Sequence, residues 1–209
     1  SGRESALFDS ARMEAALAAL PGVTRDEADS LAHSADLTLN PARTGALVTI
    51  ADDLYFSDFS SVQAARLTAT PGEEEVASFS PDGRSVAFVR SNNLFVVDVV
   101  GRREVALTID GNADLLNGKL DWLYQEEIYG RGRFRGYWWS PDSARIAFLQ
   151  LDEHPVPKYT VVDHIPYRPA IELAPYPKAG DPNPLVRLGV SRIAGGDPLW
   201  VDLTAYSAI

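Results

Sequence analysis

Two segments of this sequence repeat at a spacing of forty residues without a gap. The stretch "NPARTGALVTIADDLYFSDF" from Asn40 lies over "SPDGRSVAFVRSNNLFVVDV" from Ser80, setting Pro41 on Pro81, Leu54 on Leu94, Tyr55 on Phe95 and Asp58 on Asp98. The register continues to Leu67-Thr68 over Leu107-Thr108. Within each copy, apolar residues alternate or run in short blocks between turn residues, which is the pattern of β-strands. A period of this length carrying several strands is that of a propeller blade, a small sheet that buries its faces only by stacking on its neighbours. The turn "SPDG" at Ser80 suits the hairpin between the first two strands of a blade, because proline presets φ and Asp82-Gly83 accept a tight geometry. A β-sandwich could use such strands, but it gives no reason for an ungapped register.

A third copy, "SPDSARIAFL" from Ser140, matches Pro141, Asp142 and Phe148 to Pro81, Asp82 and Phe88, yet arrives sixty residues after the second. Roughly twenty residues are therefore inserted, and insertions in a repeat emerge on one face of the stack, where binding residues collect. The expected class is all-β: a partial β-propeller of three to four blades over 37–209, behind an N-terminal helical segment over 1–36. The blades are expected at about 37–70, 71–110, 135–165 and 184–209, with the insertion at 111–134. In the helical segment, Ser10 is placed to cap "ARMEAALAAL", and Thr24 with Glu27 forms a capping box for a second helix. After Phe148 the prolines exclude a central helix and imply extended edge segments. "LVRLGVSRIAG" and "LWVDLTAY" are then expected as strands of an unfinished fourth blade. A ring cut there leaves strand edges open, which favours self-association into a homo-oligomer.

The formal net charge of -10 argues against nucleic acid as a partner, since affinity for a polyanion rests on lysine and arginine, and favours a cationic ligand. With no cysteine there is no disulfide, no thiolate catalysis and no cysteine-based zinc site. His33, His154 and His164 lack metal-ligand spacing, and nothing calls for a cofactor. No G-x-S-x-G nucleophile elbow is present; "GVSRI" around Ser191 lacks the second glycine. The "GEEE" at 72–75 reads as a solvated turn. No apolar run approaches the roughly 18 residues of a membrane segment. No signal peptide is visible, so the expectation is a soluble protein, bacterial periplasmic or secreted if a leader has been removed.

The inserted stretch "DWLYQEEIYGRGRFRG" sets two adjacent carboxylates, Glu126 and Glu127, among aromatic residues with three arginines after them. Neighbouring carboxylates repel, so a partly desolvated ionised pair costs free energy unless a cation lies between them. A primary ammonium offers three donors and can satisfy both. The plain alternative is two glutamates on an exposed helical turn.

"DWLYQEEIYGRG", "YWWSPDSARIAFLQLDE" and "PYPKAGDPNP", on the blade pattern, closely resemble the N-terminal β-propeller of the dipeptidyl peptidase IV family of serine exopeptidases. The similarity is strongest over about 76–203, and the earlier helices and first blade are similar to those of bacterial members. The resemblance implies an eight-bladed propeller covering a C-terminal α/β-hydrolase domain with a Ser-Asp-His triad. It makes Glu126 and Glu127 the anchors of a peptide substrate's free N terminus, so that dipeptides are released. Two departures stand out. The triad domain is missing, so this chain should carry no catalytic residue. The hairpin that brings a propeller arginine to the substrate in several members is reduced here to "TIADDLY", which leaves Arg131 and Arg133 as possible replacements. The rival readings are a non-enzymatic interaction propeller and a catalytically dead homologue.

Overall fold

The chain begins with two short helices, α1 (Ser10–Ala18) and α2 (Arg25–Ala32), in a computed structural model that describes residues 6–129, 132–165 and 167–206. Asp9, and not Ser10, caps α1: its carboxylate accepts from the N–H groups of both Ala11 (3.0 Å) and Arg12 (3.3 Å), leaving Ser10 as the first helical residue. Thr24 caps α2 as expected, its hydroxyl accepting from the Glu27 N–H at 3.2 Å. Met13, Leu17, Ala28 and Ala32 are buried and pack on Val48, Ile50 and Tyr55 of the first sheet.

That sheet runs β1 (Thr38–Leu39), β2 (Gly45–Ile50), β3 (Asp53–Asp58) and β4 (Gln63–Arg66) in sequence order. The second repeats the order with β5 (Glu75–Phe79), β6 (Ser85–Arg90), β7 (Asn93–Asp98) and β8 (Glu104–Ala106). The middle strands of the two sheets keep the forty-residue offset at both ends, and so do their turns. Ala51 and Asp52 both have positive φ, as do Ser91 and Asn92, the two-residue turn that matches strand twist. The Leu54 N–H donates to Thr68 Oγ1 at 2.8 Å, and the Leu94 N–H to Thr108 Oγ1 at 2.9 Å. Each repeat opens on the same bend. Asn40 Oδ1, Ser80 Oγ and Ser140 Oγ accept the N–H of Gly45, Ser85 and Arg145 at 3.2, 3.0 and 2.9 Å. Three residues into the bend, Arg43, Gly83 and Ser143 all have positive φ, which glycine alone adopts without steric cost.

The described residues divide into two compact units: one runs to 90 and adds 95–105 and 141–143, while the other takes 91–94, 106–140 and 144 onward. In the first, Leu47, Leu54 and Leu67 meet Val86, Phe88 and Val97 in a core between the two sheets. Phe88 and Phe95 stack with centroids 5.5 Å apart.

The second unit is built on a five-stranded sheet. Its strands are β9 (Leu115–Asn117), β10 (Tyr137–Trp139), β11 (Arg145–Asp152), β14 (Leu185–Arg192) and β15 (Leu199–Trp200), and a separate two-stranded ribbon joins β12 (Lys158–Asp163) to β13 (Ala170–Pro175). Here the structure departs from the sequence reading. The 184–209 stretch does not open a fourth blade: β14 pairs with β11 along all eight residues, from Arg145↔Arg192 to Asp152↔Leu185, and β15 continues the same sheet. The proline-rich stretch is a ribbon that leaves this sheet and returns to it, so it looks in sequence like a break between blades. Gly189 permits the close pairing, since a Cβ there would sit 2.6 Å from the Phe148 ring.

The inserted stretch is also redistributed. Leu115, Leu116 and Asn117 pair with Asp152, Leu151 and Gln150, while β10 pairs with the earlier half of the same strand, β11. Strands β9 and β10 are thus two pieces of one interrupted edge, and the described residues between them, 118–129 and 132–136, lie outside the sheet. The neck is closed by backbone bonds: Gly136 N–H to Gly118 O (2.9 Å), Leu120 N–H to Phe134 O (2.6 Å) and Gly118 N–H to Leu149 O (2.9 Å).

Candidate functional site

Glu126 and Glu127 lie in the loop so formed, on a single π-helical turn, Tyr124–Ile128. Asp121 starts the turn, its Oδ1 accepting the Tyr124 N–H at 2.9 Å, and the Tyr129 N–H closes it on Tyr124 O at 2.9 Å, an i→i+5 bond. A π turn carries more residues per revolution than an α turn, so consecutive side chains diverge less, and such turns gather at functional sites. Tyr124 roots the turn against Leu116, Leu120 and Leu151, with burial pushing its phenol up and the Asp121 charge adding to this. Glu126 is half-buried, its Oε1 accepting from Gln125 Nε2 at 3.1 Å, while Glu127 is exposed. The turn thus carries two neighbouring carboxylates on a root packed into the core. Ionised carboxylates only accept, so their complement is a cation with several N–H donors.

Of the three arginines, Arg131 lies outside the described residues, Arg133 is exposed, and the Arg135 guanidinium sits 5.6 Å from the Tyr137 ring centroid. Ser191, within β14, is almost fully buried. The histidines are dispersed: His33 pairs with Asp29, His154 with Asp152, and His164 is exposed.

Within electrostatic reach of Asp121, where the turn starts, lies an acidic group to which the sequence analysis gives no role. Glu153, 6% exposed at the end of β11, donates its N–H to Asp114 O at 2.8 Å. Burial, then the charges of Asp121 and Asp114, push its carboxyl up to about 7, against the opposing pull of Lys158 and Lys119. Burial likewise raises Asp121, partly offset by the N–H bonds it accepts. Lys158 Nζ stands 2.8 Å from Asp114 Oδ1, a charge contact more than an aligned hydrogen bond. The stability consequence has a definite sign. Below pH 4.5 Glu153 is protonated whether folded or not; between 4.5 and about 7 the unfolded chain loses the proton and the folded chain keeps it. Stability therefore falls as pH rises through that window. Glu153→Gln keeps the neutral form at every pH and should gain on the order of 2 kcal/mol over wild type between pH 5 and pH 8. Urea midpoints at the two pH values measure this, and parallel profiles for the two proteins would remove Glu153 as the cause.

A further sequence reading is overturned in the first unit. The "GEEE" turn is not wholly solvated, because Glu74 is buried: its Oε1 meets Arg90 Nη1 at 3.0 Å and its Oε2 accepts from Thr68 Oγ1 at 3.0 Å. The arginine that draws Glu74 inward is sixteen residues away, beyond what charge-run reading can see.

The family profile described as the dipeptidyl peptidase IV N-terminal region matches residues 48–208. The chain belongs to the dipeptidyl peptidase IV family. It is 38% identical over 167 residues, 74% of the chain, to a protein of Aspergillus fumigatus named "Probable dipeptidyl peptidase 4". To dipeptidyl aminopeptidase B of Saccharomyces cerevisiae it is 31% identical over 174 residues, 80% of the chain. The crystal structure of Porphyromonas gingivalis dipeptidyl peptidase 4 superposes with a TM-score of 0.69 at 31% identity, covering 79% of this chain and 25% of that one. The chain spans about a fifth of the length of these curated relatives. In dipeptidyl peptidase IV terms it is mostly β, with several small sheets and few short helices. None of the described helices is long and apolar enough to cross a membrane.

Proposed function

We propose that this chain is the substrate-recognition portion of a longer, serine-type dipeptidyl peptidase, in which Glu126 and Glu127 bind the free N-terminal ammonium of a peptide. The observation that carries this is the double carboxylate on a π turn rooted in the third sheet, in a chain that belongs to this family. The three larger sheets are read as blades of a partial propeller, with 118–136 as the recognition insertion and the remaining blades and an α/β-hydrolase domain supplied by further chain. Held by its ammonium, a peptide presents its second peptide bond at a fixed distance, so release of dipeptides follows from geometry. The peptide N terminus is the partner, and the chain itself supplies no nucleophile.

The test compares Ala-Pro and N-acetyl-Ala-Pro anilides with the full-length gene product and with the isolated chain. The full-length protein should cleave the free-amine substrate and process the acetylated one poorly, because acetylation removes the cation. The isolated chain should cleave neither. Equal cleavage of both substrates would overturn the amine-binding role. Turnover by pure isolated chain would overturn the assignment to a non-catalytic portion.

A further inference from the structure

Among the described residues, the carboxylate turn packs on its surroundings through two aromatic side chains. Tyr124 holds it to the sheet core; Trp122, two residues earlier, holds it to the ribbon. The Trp122 ring lies 4.8 Å from that of Tyr176, with planes tilted 33°. Tyr176 follows directly on β13 and is tied to the base of the ribbon by its N–H bond to Pro157 O at 2.9 Å. Tyr159, on β12, continues the row at 5.8 Å from Tyr176, and Lys178 Nζ caps it 4.9 Å from the ring centroid. Trp122 is 42% exposed and Tyr176 39%, so neither ring is needed to fill the core. An aromatic pair left half in water supports little stability through burial alone, yet it fixes the angle at which two elements meet.

We infer that Trp122, clasped by Tyr176, is a positioning residue for Glu126 and Glu127. This rests on the amine-binding reading above. Tyr124 sets where the turn is rooted, whereas the clasp sets the rotation of its first residues and hence the direction in which the two carboxylates point. Without the clasp the turn keeps its root and its acids but samples a wider range of directions, so a substrate ammonium is held less tightly. The ribbon therefore enters the recognition site through its base, although neither of its strands carries a binding carboxylate.

The test uses the full-length gene product with Trp122→Ala, Trp122→Phe, Tyr176→Ala and, as reference, Glu126→Gln, assayed on free-amine and N-acetylated dipeptide anilides. Trp122→Ala and Tyr176→Ala should each raise KM for the free-amine substrate about tenfold, with kcat little changed and the residual rate on the acetylated substrate untouched. Trp122→Phe, which retains a ring for Tyr176, should recover most of that loss. A general folding defect would lower both substrates in parallel, and that result overturns the inference. If Glu126→Gln lowers free-amine preference while Trp122→Ala and Tyr176→Ala leave it intact, the positioning role fails and amine binding stands. If Glu126→Gln itself leaves the preference intact, the amine-binding reading fails instead.

Discussion

Arg90→Met should destabilise the chain by about 3–5 kcal/mol, the usual cost of stripping one partner from a buried ion pair. Arg90 is nearly buried. Its Nη1 contacts Glu74 Oε1 at 3.0 Å and its Nη2 meets Glu104 Oε1 at 2.5 Å, while its guanidinium carbon lies 4.5 Å from the centroid of the Phe95 ring. The Glu74 side chain has no exposure at all, so without the arginine it must bury a charge alone or take up a proton. Desolvation already pushes the Glu74 carboxyl above its ordinary value even with Arg90 and Thr68 donating to it, and losing Arg90 pushes it further. The deficit should therefore be largest at neutral and alkaline pH and shrink on acidification, where a protonated Glu74 is common to wild type and variant. Methionine keeps much of the arginine's apolar stem, so the loss reports the charge contacts more than packing. Glu104→Gln should cost much less, since that side chain is 25% exposed and water replaces the lost partner. In Arg90→Met/Glu74→Leu, with no charge stranded, most of the loss should return. Urea denaturation at pH 5 and pH 8 measures all three variants, and an Arg90→Met midpoint unchanged at pH 8 would show that the triad contributes no net stability.

The repeat was legible because its physics is local. Leu54 and Leu94, the bends at Asn40, Ser80 and Ser140, and the two-residue turns at Ala51-Asp52 and Ser91-Asn92 all sit at fixed offsets within one repeat. Pairing between distant segments was hidden. Nothing near Leu185 announces that it faces Asp152 across a sheet, because the register of β14 on β11 is set by their full-length fit and by the space Gly189 leaves for Phe148. Charge placement failed for the same reason: Glu74 reads as one acid in a solvated run until the fold brings Arg90 to it. At the site, Glu126-Glu127 stood out as a local oddity, and Asp121, three residues before Tyr124, has the spacing of a cap. Glu153 and Tyr176 reach that neighbourhood only through the return of the chain, so no window of sequence around the double glutamate contains them.

In the full-length gene product, Glu126→Ala and Glu127→Ala should each lower kcat/KM for free-amine dipeptide substrates by about 30- to 1000-fold, or roughly 2–4 kcal/mol of transition-state stabilisation. On the amine-binding proposal, the bound peptide takes the contact partly out of water, and losing one carboxylate leaves the ammonium short of an acceptor, since the other cannot serve all three donors. Folding should be nearly unaffected, because the turn is held by the Asp121 cap, the Tyr124 root and its own backbone bond. Among the described residues, the side-chain bond that Glu126 accepts comes from its neighbour Gln125, Glu127 is exposed, and removal of either relieves like-charge repulsion. Urea midpoints of the variants should accordingly stay within about 0.5 kcal/mol of wild type. Glutamine at either position keeps the shape and one acceptor oxygen without the charge, so its loss should fall between wild type and alanine. The pH profile follows from the same contact. A substrate amine with a pKa near 8 loses its proton on the alkaline side, so wild-type kcat/KM should decline there. In the alanine variants, where the ammonium contributes less to binding, that alkaline limb should flatten. If both alanine variants retained wild-type kcat/KM and an unaltered alkaline limb, Glu126 and Glu127 would be two acids on a solvated turn and nothing more.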